Sequence, residues 1–237
     1  MLINVDAKAL EWVVCAHLSK DPVASQEIID NIDQHTENQK MLGLPEGKAG
    51  RLIAKIFVFR LIYGSIARGF CQDQDFIDIS TKESFWQDKI DKFYNKYKGI
   101  ERFHRKLVQE HKATGRLEMP TGRHYIIPEE YGIEMARPKI LNYPVQGLGH
   151  DLMTIARVSL SRNMRKYHLK SLLISTIHDS IIIDAIESEK NLIIDLIRDT
   201  WNNIPYNYMC LTDDTFTLPM RCEISFGNNL KEMTNVN

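Results

Sequence analysis

Residues 171–186, SLLISTIHDSIIIDAI, carry the reading that decides the fold. Two runs rich in β-branched residues flank the polar triplet His178-Asp179-Ser180, the pattern of a β-hairpin with its turn at the triplet. Asp179 therefore stands at the end of an apolar strand. A second carboxylate does the same at the start of the chain, where LINV reads as a strand that reaches Asp6 before AKALEWVVCAHL takes up helical spacing. If the LINV strand pairs beside the hairpin, both acids reach one end of one sheet, where two hard divalent cations could bridge them for phosphoryl transfer. Spacing alone leaves another reading open, in which Asp6 is a helix N-cap and Asp179 an ordinary turn residue.

Between these carboxylates lie mostly helical patterns. Ser25 is placed to cap one helix, SQEIIDNIDQHTENQKML, which GLPEG ends. The next stretch, RLIAKIFVFRLIYG (51–64), repeats Arg51, Lys55, Phe59 and Tyr63 every four residues, one stripe beside Leu52, Ile53, Ile56 and Val58. Arg51 and Lys55 could hold a polyphosphate, or could be a solvated basic edge. Phe59 and Tyr63 could stack on a ligand or belong to the core. QDQDFIDISTKES reads as a loop, and residues 85–112 as a long amphipathic segment interrupted at Gly99. GRLEMPTGRHYIIP reads as a hairpin around Thr121-Gly122, and about 139–167 as a helix with an irregular start at Pro144. A helix over about 188–201, a loop at Pro205 and a terminal strand, FTLPMRCEISF, close the chain. This mixed order predicts an α+β fold with an antiparallel sheet and no internal domain boundary.

The 237 residues suffice for a sizeable core, and a net charge of −1 argues against a wholly basic nucleic-acid-coating protein while leaving room for a local basic groove. Cys15, Cys71, Cys210 and Cys222 show neither CxxC pairs nor zinc-ligand spacing, which predicts free thiols in a reducing compartment. Neither a signal peptide nor an apolar run of membrane-spanning length is evident. The expected location is cytoplasmic, the host cytoplasm if the source is viral, with no membrane partner.

Taken jointly, these segments resemble the palm and fingers of family A DNA polymerases, the group of bacterial DNA polymerase I and many phage replicases. VDAKALEWVVCAHLSKD is similar to the family's motif A, RLIAKIFVFRLIYG to motif B and STIHDSIIID to motif C, with DQH (33–35) preceding motif B in the expected order. NYPVQGLGHDLM and CEISFGNNL resemble its Asn-x-Pro-x-Gln-Gly segment and terminal strand. The implied layout is one polymerase C-terminal module over 1–237. Its parts are a palm start at 1–22, fingers at 23–84 with the motif B helix at about 47–64, and remaining fingers and palm at 85–237 with the motif C hairpin at about 171–186.

The resemblance implies that Asp6 and Asp179, with the main-chain carbonyl of Ala7, bind two Mg²⁺ ions, Mn²⁺ being a possible substitute. It makes Arg51, Lys55 and His35 contacts of the incoming triphosphate, with Lys55 also a proton donor to the leaving group. Phe59 stacks on the incoming base or sugar, and Tyr63 and Gly64 close over the templating position. Glu11 matches the ribose gate, which favours dNTPs over the substrates of the phage-type RNA polymerases that share the R-K-YG helix. Phe59 in place of tyrosine implies poor acceptance of dideoxynucleotides. Asn142, Gln146, His178 and Arg137 are the implied template-primer contacts.

Four positions depart from the pattern: Ser180 where an acid usually follows His-Asp, Ala7 and Val13 in motif A, and Arg60 in motif B. The thumb, the first part of the palm and the exonuclease are also expected to be absent, leaving LINV without its flanking strands and a sheet edge exposed. A phage split polymerase is the resulting expectation, with a second polypeptide supplying thumb and 3'-5' exonuclease. The alternatives are a non-catalytic interaction subunit of polymerase-like fold and an excised fragment of a longer polymerase.

Overall fold

The structure, a computed structural model, describes residues 1–128 and 132–236. Its elements run β1 (Leu2–Ala7), α1 (Leu10–Ser19), α2 (Pro22–Ile29), α3 (Gln34–Leu42), α4 (Lys48–Ile62), α5 (Ala67–Cys71), α6 (Glu83–Lys96), α7 (Lys98–Thr114), β2 (Arg116–Glu118) and β3 (His124–Ile126). The long helix α8 (Ile133–Lys166), β4 (Leu172–Ile177), β5 (Ser180–Asp184), α9 (Lys190–Met209), β6 (Cys222–Gly227) and β7 (Met233–Asn235) complete the chain. The fold is α+β with antiparallel strand pairing throughout, as the sequence predicts. No helix among the described residues is long and apolar enough to cross a membrane.

The chain divides into two compact units, one of Met1–Val14 with Gln146–Asn237 and one of Cys15–Val145. In the first, five strands form a sheet in the order β4-β5-β1-β6-β7. The LINV strand is thus central and paired on both sides by strands of this chain, contrary to the expectation that its neighbours are missing. Alternation sets its faces: Ile3, Val5 and Ala7 are buried, whereas Leu2, Asn4 and Asp6 lie on the more open face. The exposed apolar edge falls instead on β4, where Leu172, Ile174 and Ile177 are 62%, 52% and 46% exposed.

Helix α9 packs against β6 and runs on through Pro205, because its buried face continues from Ile193, Ile197 and Trp201 to Ile204 and Tyr208 on both sides of the proline. The expected stop at Trp201 is therefore corrected. Helix α8 likewise begins earlier than expected and passes Pro138 and Pro144, each of which removes one backbone donor without ending the helix. It is tied to α9 by Asn163 Nδ2 to Thr200 Oγ1 at 3.5 Å and by Asn207 Nδ2 to Ser159 Oγ at 3.3 Å. The terminal strand is shorter than FTLPMRCEISF. Phe216, Leu218 and Met220 are buried without joining the ladder, and β7, unread in the sequence, forms the sheet's other edge.

The second unit is helical apart from the β2–β3 hairpin, which forms as expected. The single helix expected over 25–42 is two helices, and the caps are Asp21 and Asp33 rather than Ser25. Asp-Pro places the cap and the favoured first helical residue together, a stronger start signal than serine four residues later. The break in 85–112 falls at Tyr97, and Gly99 lies inside α7. Gly99 instead permits a close approach. Its N–H donates to Asp21 Oδ2 at 2.6 Å, and an added Cβ would sit 2.6 Å from the Asp21 Cα. The same fully buried carboxylate caps α2 through the N–H groups of Val23 (3.0 Å) and Ala24 (2.9 Å). Gly99→Ala is accordingly expected to destabilise the chain by about 2–3 kcal/mol, through overpacking and a disturbed buried cap. Urea denaturation would measure this, and a change within about 0.5 kcal/mol would contradict it.

Candidate active site

The sheet of the first unit brings the two predicted carboxylates to one end. Asp6 of β1 stands opposite Ser180 of β5, and the next rung is the bond from Ala7 N–H to the Asp179 carbonyl, 2.9 Å. Asp6 is therefore one register step from Asp179. The N-cap reading of Asp6 fails, because β1 continues to Ala7 and α1 begins only at Leu10. His178 and Asp179 make a two-residue turn with His178 at φ 53°, a conformation that suits tight hairpins but strains a residue with a Cβ. Ser180, the departure from the motif C pattern, donates its hydroxyl to the Ile177 carbonyl at 3.0 Å and braces that turn.

Asp6 and Asp179 are half-buried and His178 is exposed. Two carboxylates and a main-chain carbonyl are hard oxygen donors, a set that suits a divalent cation such as Mg²⁺. Among the described residues no three His, Cys, Asp or Glu side chains are grouped to hold a metal. Register also shows a neighbour that the sequence reading missed: Glu223 of β6 stands opposite Asp6 on the other side and projects to the same face. Glu11 lies half-exposed in the first turn of α1, and Gln146 is exposed on α8.

In the second unit the stripe of α4 forms as predicted, with Lys55 exposed and Arg51, Phe59 and Tyr63 partly so. Its buried side is Ala54, Phe57, Val58, Leu61 and Ile62, while Leu52 is exposed. Phe57 anchors the helix by stacking on Phe70 at 4.8 Å and Trp86 at 6.0 Å between ring centroids. Along the stripe, Lys55 Nζ lies 5.7 Å from the Phe59 ring, which is 5.9 Å from His35 and 6.4 Å from Tyr63.

Arg51 makes a two-pronged pair with Asp33, Nε to Oδ2 at 2.7 Å and Nη2 to Oδ1 at 3.1 Å. Partial burial would raise the Asp33 carboxyl, but hydrogen bonds from Arg51, Thr36 and the His35 N–H together with the charge of Arg51 hold it down at about 2. Burial pushes the His35 imidazole down to about 4, with Arg51 and Lys55 adding to the effect, so it is neutral at pH 7. Its Nδ1 is buried and has no hydrogen-bond partner among the described residues.

Gly64 follows Tyr63 at φ 93°, where an added Cβ would lie 3.3 Å from Leu141 and 3.4 Å from the Arg137 carbonyl. The turn after α4 is thereby held against α8. Arg137 lies beside Tyr94 and His104: burial drives His104 down to about 3, with the Arg137 charge adding, whereas the guanidinium opposes the burial that raises Tyr94 to about 12. Asn142 is partly buried, and its Oδ1 has no hydrogen-bond partner among the described residues. Arg60, the unexplained cation of motif B, pairs with Asp73 and Asp75 and lies 5.4 Å over the Phe76 ring. It pins the 72–79 loop to α4.

The sheet unit thus presents carboxylates at the end of a strand hairpin, and the helical unit presents a cation-aromatic stripe along α4. The sequence matches the model of DNA polymerase family A over residues 1–232, and the chain belongs to that family. DNA polymerase I of Chloroflexus aurantiacus is 25% identical over 240 residues, covering 98% of this chain and 24% of that protein. The Aquifex aeolicus enzyme is 27% identical over 192 residues, 78% of this chain and 32% of its own length. The chain thus spans about a quarter to a third of these relatives. The polymerase domain of Pol1 from M. smegmatis, solved with DNA primer-template and dNTP, matches the fold with a TM-score of 0.83 at 20% identity, over 96% of this chain and 39% of that one.

Proposed function

We propose that this chain carries the palm and fingers of a template-directed DNA polymerase and adds dNTPs to a primer 3'-hydroxyl. The observation that carries the reading is the β1–β5 register, which sets Asp6 beside the motif C turn holding Asp179. The Cys15–Val145 unit corresponds to the fingers and the sheet unit to the palm. Asp6, Asp179 and the Ala7 carbonyl would hold two Mg²⁺ ions, which when bound would supply activation of the attacking hydroxyl and charge neutralisation at the phosphates. Arg51 and Lys55 bind the triphosphate, and Lys55 holds a proton at Nζ for the departing pyrophosphate. His35, neutral, offers a ring nitrogen to the same phosphates. Phe59 stacks on the incoming base or sugar, Tyr63 and Gly64 border the templating base, and Glu11 crowds the ribose 2' position. Asn142, Gln146, His178 and Arg137 serve the template-primer.

A second polypeptide supplying thumb and 3'-5' exonuclease completes the enzyme in this reading. The support is the apolar edge of β4, unpaired among the described residues, which in water is a liability unless further protein covers it. Purification from the native host tests this: recovery of these residues only within one long polymerase chain would rule out a split enzyme.

Primer extension with Mg²⁺, by the chain and by any co-purifying partner, tests the activity. Expected are incorporation of dNTPs, rejection of ribonucleotides through Glu11 and weak use of dideoxynucleotides through Phe59. Incorporation of ribonucleotides as efficient as that of dNTPs would overturn the substrate assignment. Absence of extension with the partner present would favour a non-catalytic interaction subunit.

A further inference from the structure

We propose that Asp33 is a positioning residue for triphosphate binding, holding the Arg51 guanidinium by its Nε–Nη2 edge so that the Nη1 side is oriented for phosphate. The inference rests on the reading of the α4 stripe as the nucleotide-binding edge. Arg51 is a long side chain on an open face, with 44% of its surface exposed, and ordering it on nucleotide binding costs conformational entropy. Asp33 removes that cost in advance, because its own position is set by capping α3. It accepts the His35 N–H at 3.0 Å and the Thr36 hydroxyl at 3.0 Å while gripping Arg51 with both oxygens.

A structural role for the pair has little to offer. Asp33 is 46% exposed, and ion pairs in such settings add little to stability. A purely competitive role, in which Asp33 fills the phosphate position, fits the bonding less well. Asp33 takes only Nε and Nη2, and no bond from Nη1 occurs among the described residues. Two N–H groups on Nη1 therefore stay available on the edge shared with Lys55 and His35. The capping bonds also keep Asp33 from following the guanidinium toward a ligand.

Asp33→Asn separates these roles, since Asn caps a helix as well as Asp but carries no charge to grip the guanidinium. Mg²⁺·dATP binding to the protein on template-primer, with its partner chain if one co-purifies, would be measured by calorimetry for wild type, Asp33→Asn, Arg51→Ala and the double variant. Thermal unfolding would be followed in parallel. Expected is about a five- to tenfold weaker affinity for Asp33→Asn, no further effect of that change once Arg51 is Ala, and an unchanged melting temperature. Equal or tighter binding by Asp33→Asn overturns the proposal while leaving the nucleotide reading intact. So does an equal loss in the Arg51→Ala background, which would mark an effect through α3 alone. Failure of the wild type to bind overturns both.

Discussion

Asparagine at position 179 is expected to lower the rate of nucleotide addition by about three orders of magnitude, or ~4 kcal/mol of transition-state stabilisation. The substitution keeps the side chain's shape and suits a turn, so the hairpin should form as before. The rung between Ala7 N–H and the carbonyl of residue 179 involves only main chain and is also retained. What is lost is one of the two negative charges proposed to hold divalent cations beside the reacting phosphate. Asp6→Asn should act to a similar degree. The double variant should be little worse than either single one, because groups that act as a unit do not contribute additively. Single-turnover primer extension, with template-primer affinity measured separately, distinguishes lost chemistry from lost binding. Retention of more than about a tenth of the wild-type rate by Asp179→Asn would remove the carboxylate pair from the mechanism.

Trp86→Ala is expected to destabilise the protein by about 3–5 kcal/mol. Trp86 is 1% exposed, stacks on Phe70 at 5.5 Å and meets Phe76 edge-on at 5.1 Å. Its indole N–H donates to the Ser80 carbonyl at 2.7 Å, so truncation leaves both a cavity and an unpaired acceptor. Because Phe57 joins the same stack from the buried side of α4, loosening it should also blur the position of Arg51 and Lys55 on the opposite side. Urea denaturation should show the loss, and triphosphate affinity should fall in protein that remains folded. A loss below about 1 kcal/mol would mean that the aromatic cluster does not hold the helix.

Much of this arrangement is legible from periodicity. β-Branched runs on either side of the polar triplet His178-Asp179-Ser180 specify the hairpin, because the branched side chains favour extended backbone and the triplet marks where the chain reverses. Four-residue spacing puts Arg51, Lys55, Phe59 and Tyr63 on one edge of α4, whatever that helix packs against. Gly99 and Arg60 show the other side. Gly99 reads as a helix breaker, yet it is a point of close approach to Asp21, far earlier in the chain. Arg60 has no local partner in the sequence and finds Asp73 and Asp75 only when the following loop folds back.

By itself, then, the sequence determines the motif C hairpin, the family and which side chains of α4 share a face, because these follow from local geometry and from motifs a few residues long. Only the tertiary structure decides that LINV is the central strand, that Glu223 stands beside Asp6 and that Asp33 grips Arg51. Each of these joins residues from separate elements or turns, where the choice of partner depends on how the chain packs rather than on the spacing within any one segment.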